Sequence, residues 1–385
     1  MQKPFVTIVC PVRNAERTMD TTFQYLLNVD YPRDKMEIVL ADGGSTDKTI
    51  EIIKKWQAKY DFIKLVEVPN SKSPGHARNE ALKVAKGEYI LFTDADCAPR
   101  KDWIDKMLEP FFMDPKIGMV GGEIYTLRTD KNNVVEAYCE QAMFLTVSGR
   151  CGLKNDKPGY YPEIKKDLPS EVNGSQTSPF FATANAAISR KAGEAIGNKF
   201  WDFITSEDVD FSLRILKAGF KLYYQPSAIV DHMHRATLKQ YHKQLWGYGY
   251  GHPLGVREHA KNYLEIFIHY FNISIPIPFP IKGIIYIGDF HLLHLFGLSF
   301  IGYWIWLASK GACPLMTGHI TSTFAILGGG FLFFLLKYFG PLLKFKPLSK
   351  FFHYCWIKYS TNWALMKGGF KGWKEFGVIY IEQSF

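Results

Sequence analysis

The sequence predicts an α/β fold: a mostly parallel sheet with helices on both faces, followed by an α-helical apolar region. Three observations point there. Strand-like and helix-like runs alternate four times within about the first hundred residues, the signature of βα units. Each strand-like run ends in a polar cluster, at Asn14, at Asp42, and at Asp94 with Asp96. Beyond about residue 250 the chain changes character, with long apolar runs between Tyr263 and Phe339.

Taken in order, Phe5 to Cys10 is a strand closed by Pro11, and Pro11-Val-Arg-Asn14 is a strand-end loop before a helix over about Glu16–Asn28. Met36 to Ala41 is a second strand. It runs into Asp42-Gly-Gly-Ser-Thr-Asp47, whose glycines allow a tight turn and where Ser45 or Thr46 is placed to cap the helix Lys48–Lys59. Ile63 to Val68 is a third strand. Ser73-Pro-Gly-His-Ala-Arg-Asn79 opens a helix that Gly87 follows, and Tyr89 to Thr93 is a buried strand without charge. It delivers Asp94 and Asp96. Carboxylates at the C-terminal end of such a strand lie where open α/β sheets bind ligands. Their hard oxygens suit a divalent cation that takes its other ligands from water and phosphates.

Further on, Trp103–Phe112 reads as a helix, Gly118–Tyr125 as a strand at the edge of the site, and residues 134–147 as another helix. Cys151 to Pro179, rich in Pro and Gly, reads as an acceptor loop or disordered segment. Its Asn173-Gly-Ser175 sequon is a chance occurrence in a cytosolic domain. Thr205-Ser-Glu-Asp208 opens a helix whose apolar stripe is Leu213, Leu216 and Phe220 and which Gly219 closes. Thr205 with Asp208 also fits a capping box. Ala228–Thr237 is a strand end carrying His232 and His234, followed by a helix over Leu238–Tyr250.

The net charge of +9 suits nucleic acid or an anionic membrane surface. The basic residues accompany the apolar runs, and the first 250 residues carry no aromatic-and-basic motif, so a membrane is expected and no nucleic acid. Six cysteines (10, 97, 139, 151, 313, 355) form no close pair. That argues against a zinc ribbon and for reduced thiols in a cytosolic setting. The amino-terminal residues read as a strand without signal-peptide architecture.

Pro11-Val-Arg-Asn14, Asp42-Gly-Gly-Ser-Thr-Asp47, Gly75-His-Ala-Arg-Asn79 and Asp94-Ala-Asp96 resemble, in order, the motifs of family-2 glycosyltransferases with the GT-A fold. The resemblance covers roughly residues 4–250. It implies a nucleotide-sugar donor, UDP- or GDP-linked, and inversion at the anomeric carbon. The implied donor-binding set is Pro11, Arg13, Asn14, Asp42, Gly43, Gly75, Arg78, Asn79, Asp94 and Ala95. Asp42 would meet the base and Asp94 the ribose or sugar. Asp96 would hold a manganese or magnesium ion on the diphosphate, with Asp94 a further candidate ligand. Phe180–Arg190 resembles the family's acceptor-side segment. Glu207-Asp208 resembles its Glu-Asp motif, with Asp208 the general base and Glu207 orienting it. A metal-binding histidine often follows this strand in the family, so His232 is chosen ahead of His234. Gln244-Leu-Trp246 lacks the arginine and spacing of processive members.

Within the apolar region, Tyr263–Phe271 is expected as an interfacial helix, Ile275–Pro280 as a re-entrant bend, and residues of about 284–308 and 319–339 as transmembrane helices. Phe351–Met366 resembles an amphipathic surface helix. Lys337, Lys344, Lys346, Lys350 and Lys358 follow the second span, while Lys310 alone lies between the spans. This places the C-terminus and the catalytic domain in the cytoplasm of a multi-pass protein. The expected division is a catalytic domain over residues 1–255 and a membrane-associated region over 256–385. The reading is a membrane-bound inverting transferase acting on a hydroxyl of a lipid-linked saccharide or glycolipid. Its alternatives are a polyprenyl-phosphate (dolichyl-phosphate) sugar synthase and a catalytically silent nucleotide-sugar-binding scaffold.

Overall fold

A computed structural model describes residues 3–150, 157–161, 179–271, 273–278, 282–310 and 318–382. The sequon at Asn173 and most of the 151–179 segment lie outside these residues. The chain divides into two compact units, Met1–Thr237 and Leu238–Phe385.

The first unit begins β1 (Val6–Val12), α1 (Met19–Leu26), β2 (Met36–Asp42), α2 (Thr49–Gln57), β3 (Ile63–Glu67), α3 (Pro74–Val84) and β4 (Tyr89–Thr93). Every residue of β2 is buried, as expected of a strand covered on both faces. β1 lies between β2 and β4, and β3 joins β2, all in parallel. The alternation read from the sequence therefore produces the parallel half of the sheet.

The second half is mixed. It comprises β5 (Cys97–Pro99), α4 (Trp103–Met113), β6 (Ile117–Leu127), α5 (Val134–Gln141), α6 (Val147–Arg150), β7 (Gly159–Tyr161), β8 (Asn185–Ser189), α7 (Arg190–Ala195), α8 (Glu207–Lys217) and β9 (Lys221–Met233). The strand order is β3-β2-β1-β4-β8-β6-β9-β5, with β7 also on β9. β8 runs antiparallel to β4 and β6, and β6 runs parallel to β9.

Several expectations are corrected here. Gly118–Tyr125, expected as a strand, belongs to β6 inside the sheet. Its glycines permit close packing, since a Cβ on Gly121 would lie 2.1 Å from the Phe181 ring and one on Gly122 2.0 Å from the Ala228 carbonyl oxygen. The helix expected over 134–147 stops at Gln141, and Met143 takes a positive φ of 52°. In α8 the buried apolar residues are Val209, Phe211 and Ile215 rather than Leu213, Leu216 and Phe220. Thr205 makes no capping box, because the N-cap is Ser206, at φ 64° and without a side-chain cap.

The second unit comprises α9 (Leu238–His259), β10 (Leu264–Ile268), β11 (Ile273–Ile277), β12 (Gly283–Ile287), α10 (Asp289–Ser309), α11 (Gly318–Phe339), α12 (Phe351–Phe376) and β13 (Ile379–Ile381). The stretch expected as an interfacial helix is instead β10: only Glu265 and Phe267 are buried, a period of two. Of the re-entrant bend expected over Ile275–Pro280, residues 275–277 belong to β11, which pairs antiparallel with β10, and residues 279–280 lie outside the described residues. β11 is the edge of a four-stranded sheet ordered β11-β10-β12-β13, where a proline such as Pro276 is tolerated. The first apolar run starts as β12 and turns helical only at Asp289.

α10 and the segment Ser322–Lys344 are long and apolar enough to cross a membrane, and only 17% of each hydropathic window is buried. They pack together by setting phenylalanines of one on glycines of the other. A Cβ on Gly330 would lie 2.3 Å from the Phe296 ring, and one on Gly297 3.1 Å from Phe331. The first turns of α10 and the last turns of α11 meet in one cluster, Phe290, Leu293, Phe334 and Tyr338, against Tyr359 and Met366 of α12.

Candidate active site

The C-terminal ends of β1 and β2 are tied to each other. Asn14, at φ 51°, donates its backbone N–H to Ser45 Oγ at 2.9 Å and accepts from the Thr46 N–H at 2.8 Å. Asp42 is 2% exposed. Its Oδ2 accepts from the Gly44 and Ser45 N–H groups at 3.0 and 2.9 Å, and its Oδ1 accepts from Ser45 Oγ at 2.5 Å. The carboxylate thus builds its own turn, whose geometry needs Gly44 at φ 83°. Ser45 is consumed there, so it does not cap α2; Asp47 Oδ1 accepts from the Thr49 N–H instead, at 3.0 Å. Gly43 donates to the Val12 carbonyl at 2.8 Å. Pro11 lies beside Ala41 in the ladder, and exposed Arg13 reaches toward the Ser71 carbonyl at 3.4 Å.

From α3, Gly75 and Asn79 serve a segment far ahead in sequence. A Cβ on Gly75 would lie 2.1 Å from the Trp201 carbonyl oxygen. Asn79 clamps the Phe200 backbone, donating to its carbonyl at 3.0 Å and accepting from its N–H at 2.7 Å. Ser73, the N-cap of α3, donates to Asp202 at 2.8 Å. These contacts hold residues 200–202 against α3 and so aim the start of α8.

Arg78, on α3, is 2% exposed and links the turn after β4 to the start of α8. Nη2 donates to Asp94 Oδ1 and Nη1 to Glu207 Oε1, both at 2.8 Å. Its guanidinium lies 5.8 Å from the centre of the Phe200 ring. Burial and the neighbouring Asp208 charge push the Glu207 carboxyl up to about 7, against the opposing pull of Arg78. Asp208 is half-buried, and its Oδ1 accepts from the Val209 N–H at 2.9 Å.

On the other side of Asp94, the Ala95 carbonyl accepts from the hydroxyls of Thr18 and Thr22 on α1, at 2.7 and 3.0 Å. Asp96 is 8% exposed. Pairing of β5 with β9 sets Cys97 opposite His232, and the Met233 N–H donates to the Asp96 carbonyl at 2.8 Å. This register brings His232 Nε2 to 3.3 Å from Asp96 Oδ1, while Arg235 Nη1 approaches Oδ2 at 3.3 Å. His234 is bound elsewhere, with Nε2 2.7 Å from Thr126 Oγ1. Burial, then the His232 charge, lowers its pKa to about 3.

Asp96, Cys97 and His232 offer ligand atoms within 4.8 Å of one another. A divalent cation fits Asp96 with His232: a carboxylate oxygen and an imidazole nitrogen converge, and His232 Nδ1 is buried without a hydrogen-bond partner. Cys97 fits less well. Burial and the charges of Asp96 and Asp94 push its thiol up, keeping it protonated, and sulfur is a soft ligand.

The sequence did not single out Arg235, Thr18 and Thr22, or Glu123, because their partners lie far along the chain. Glu123 is fully buried and accepts from Tyr224 Oη at 2.6 Å and the Val147 N–H at 2.6 Å. It anchors α6 against β9.

Comparison with known proteins identifies the family. Residues 7–194 match Glycosyl transferase family 2, and residues 162–363 match Glycosyl transferase family group 2. The dolichyl N-acetyl-α-D-glucosaminyl phosphate 3-β-D-2,3-diacetamido-2,3-dideoxy-β-D-glucuronosyltransferase of Methanococcus voltae is 28% identical, covering 68% of this chain and 77% of that protein. The pre-mycofactocin glycosyltransferase of Mycobacterium tuberculosis is 27% identical over 66% of this chain; here the chain spans about half of the relative, 48%. Among solved structures, the mannosyltransferase PcManGT from Pyrobaculum calidifontis, in complex with GDP-Man and Mn2+, superposes with a TM-score of 0.53 at 18% identity, covering 97% of this chain and 88% of that one. That likeness supports the fold. The chain belongs to the family-2 glycosyltransferases, with a GT-A fold in its first unit.

Proposed function

We propose that the chain transfers a sugar, with inversion, from a UDP- or GDP-sugar to a hydroxyl of a lipid-linked saccharide at a membrane. The observation that carries this reading is the convergence at Asp94-Ala-Asp96: Asp94 meets the Arg78–Glu207 pair, and Asp96 meets His232.

Asp96 and His232 would hold the Mn2+ or Mg2+ ion, which when bound offsets negative charge on the departing diphosphate. Asp208 accepts the proton of the acceptor hydroxyl as its oxygen attacks the anomeric carbon. A positioned base contributes about 10²–10⁴-fold to such a step. Arg78 and Glu207 act as positioning residues: the buried ion pair fixes the first turn of α8, where Asp208 sits. Asp42 shapes the loop against which the nucleotide base would lie, and Arg13 and Asn14 flank it.

Two features support a membrane. α10 and α11 leave large apolar side chains exposed, among them Leu298, Ile305 and Ile326. The Methanococcus relative, by its name, acts on a dolichyl-linked sugar phosphate. Because α10 begins and α11 ends in one cluster, the hairpin enters and leaves on the same side. With the lysines that follow it, that side is the cytoplasm, and both termini lie there.

The test is nucleotide release by purified protein in detergent, across a panel of nucleotide sugars, with Mn2+, Mg2+ or chelator, and with lipid-linked saccharide acceptors. Metal-dependent transfer from one donor is expected. Absence of binding to every donor would sink the reading.

A further inference from the structure

α9 and α12 cross with their backbones almost in contact. A Cβ on Gly249 would lie 2.0 Å from the Leu365 carbonyl oxygen, and one on Gly368 2.1 Å from that of Trp246. Beside this crossing an open groove of about 480 Å³ is lined by residues of α9 and α12. Two features of its lining do not suit water alone. Its charges are of one sign: Lys243 and Lys367 are exposed on opposite walls, and no carboxylate among the described residues lines the groove. Between them His242 and Ser360 lie in hydrogen-bond contact, Nε2 to Oγ at 2.9 Å. The Lys367 charge acts on His242, adding to burial in lowering its pKa. The Ser360 hydroxyl donates to the Trp356 carbonyl at 2.7 Å, so the donors for a phosphate are the two lysine ammonium groups.

The remaining surface is aromatic. Trp246, Trp356 and Trp363 face the groove, and Trp356 is 59% exposed. Trp363 packs on Phe290 and His294, in the first turns of the apolar helix α10, at ring distances of 5.7 and 5.4 Å. The groove therefore lies at the foot of the apolar hairpin, where tryptophan is favoured at a membrane boundary. An inorganic anion would leave the tryptophans unused, and a neutral lipid would leave the lysines unused. An amphiphile with a phosphorylated head uses both.

We propose that this groove binds the phosphate head of a polyprenyl-phosphate-linked substrate, with Lys243 and Lys367 on the phosphate and the tryptophans on the chain that carries it. This rests on the reading that the acceptor is lipid-linked.

The test is equilibrium binding of polyprenyl monophosphate to the full chain in phosphatidylcholine nanodiscs, with the matching polyprenol and inorganic phosphate as competitors. The expected result is saturable binding that neither competitor displaces at equal concentration. Lys243→Gln with Lys367→Gln is expected to weaken it roughly tenfold or more, and the double Arg variant to retain it. Donor binding by the same variants reports an intact first unit. Equal affinity for the polyprenol would overturn phosphate recognition. Equal affinity for inorganic phosphate would reduce the groove to a free-anion site. Unchanged affinity in the double Gln variant would remove the lysines from the argument and sink the proposal. Lysine-dependent binding in a protein that transfers to no lipid-linked acceptor would uphold the groove and overturn the transfer reading instead.

Discussion

Arg78 and Arg235 both meet a carboxylate of the Asp94-Ala-Asp96 turn, yet their surroundings differ. The Arg78 side chain is 3% exposed, and its two nitrogens are committed to two carboxylates. That of Arg235 is 48% exposed and reaches Asp96 at 3.3 Å. A buried guanidinium cannot leave without stranding charge in the interior, so Arg78 is framework. An exposed one exchanges its partner for water at small cost, so Arg235 is displaceable. Under the proposed function, one half of the site is rigid where Asp208 would take the proton, and the other is adaptable where ion and diphosphate would arrive.

The strongest way to break this contrast is on the chemical step. Asp208→Asn is expected to lower transfer by about 10²–10⁴-fold while leaving donor binding intact, measured by steady-state kinetics and donor titration. Retention of most activity would favour the polyprenyl-phosphate sugar synthase, whose acceptor oxygen is already ionised.

Next is Arg78→Met. Removing the buried cation leaves Glu207 uncompensated beside Asp208, and a loss of about 3 kcal/mol or more is expected in denaturant unfolding. Arg235→Ala, measured the same way, is expected to change stability by less than about 1 kcal/mol.

The pH dependence sharpens the same point. The folded carboxyl of Glu207 is raised to about 7 from an ordinary value near 4.5. The folded state therefore holds this proton more tightly than the unfolded one. Its stabilising contribution is full below the ordinary value and is lost as pH rises through about 7. The expected slope is at most about 1.4 kcal/mol per pH unit. Comparing unfolding midpoints between pH 5 and 8 checks it, because Glu207→Gln should flatten the slope.

The smallest effect concerns the ion. Arg235→Ala removes a cation competing for Asp96, so Mn2+ binding should tighten by a few-fold, on the scale of an exposed ion pair, as read by isothermal titration.

How much of this was legible in the chain follows from range. β1, β2 and β4 and the polar clusters that close them were readable, because a strand covered on both faces is a continuous apolar run and its end is marked by turn residues within a few positions. The two apolar helices were readable for the same reason, α10 only from Asp289 onward. β10 was misread: five residues of mixed apolar pattern do not separate a strand from a short helix without their neighbours. Gly75 and Asn79 were recognised as motif residues, but only the fold shows them gripping residues 200–202.

By itself the sequence determined the βα alternation, the carboxylates at the strand ends and the apolar hairpin, since each depends on residues close together in the chain. The tertiary structure alone decided that Arg78 joins Asp94 to Glu207, that β5–β9 pairing brings His232 rather than His234 to Asp96, and that α9 and α12 line a groove of lysines and tryptophans. Apart from Arg78 and Asp94, 16 positions apart, those contacts join residues more than a hundred positions apart. Their partners are chosen by strand register and helix packing, which local pattern does not encode.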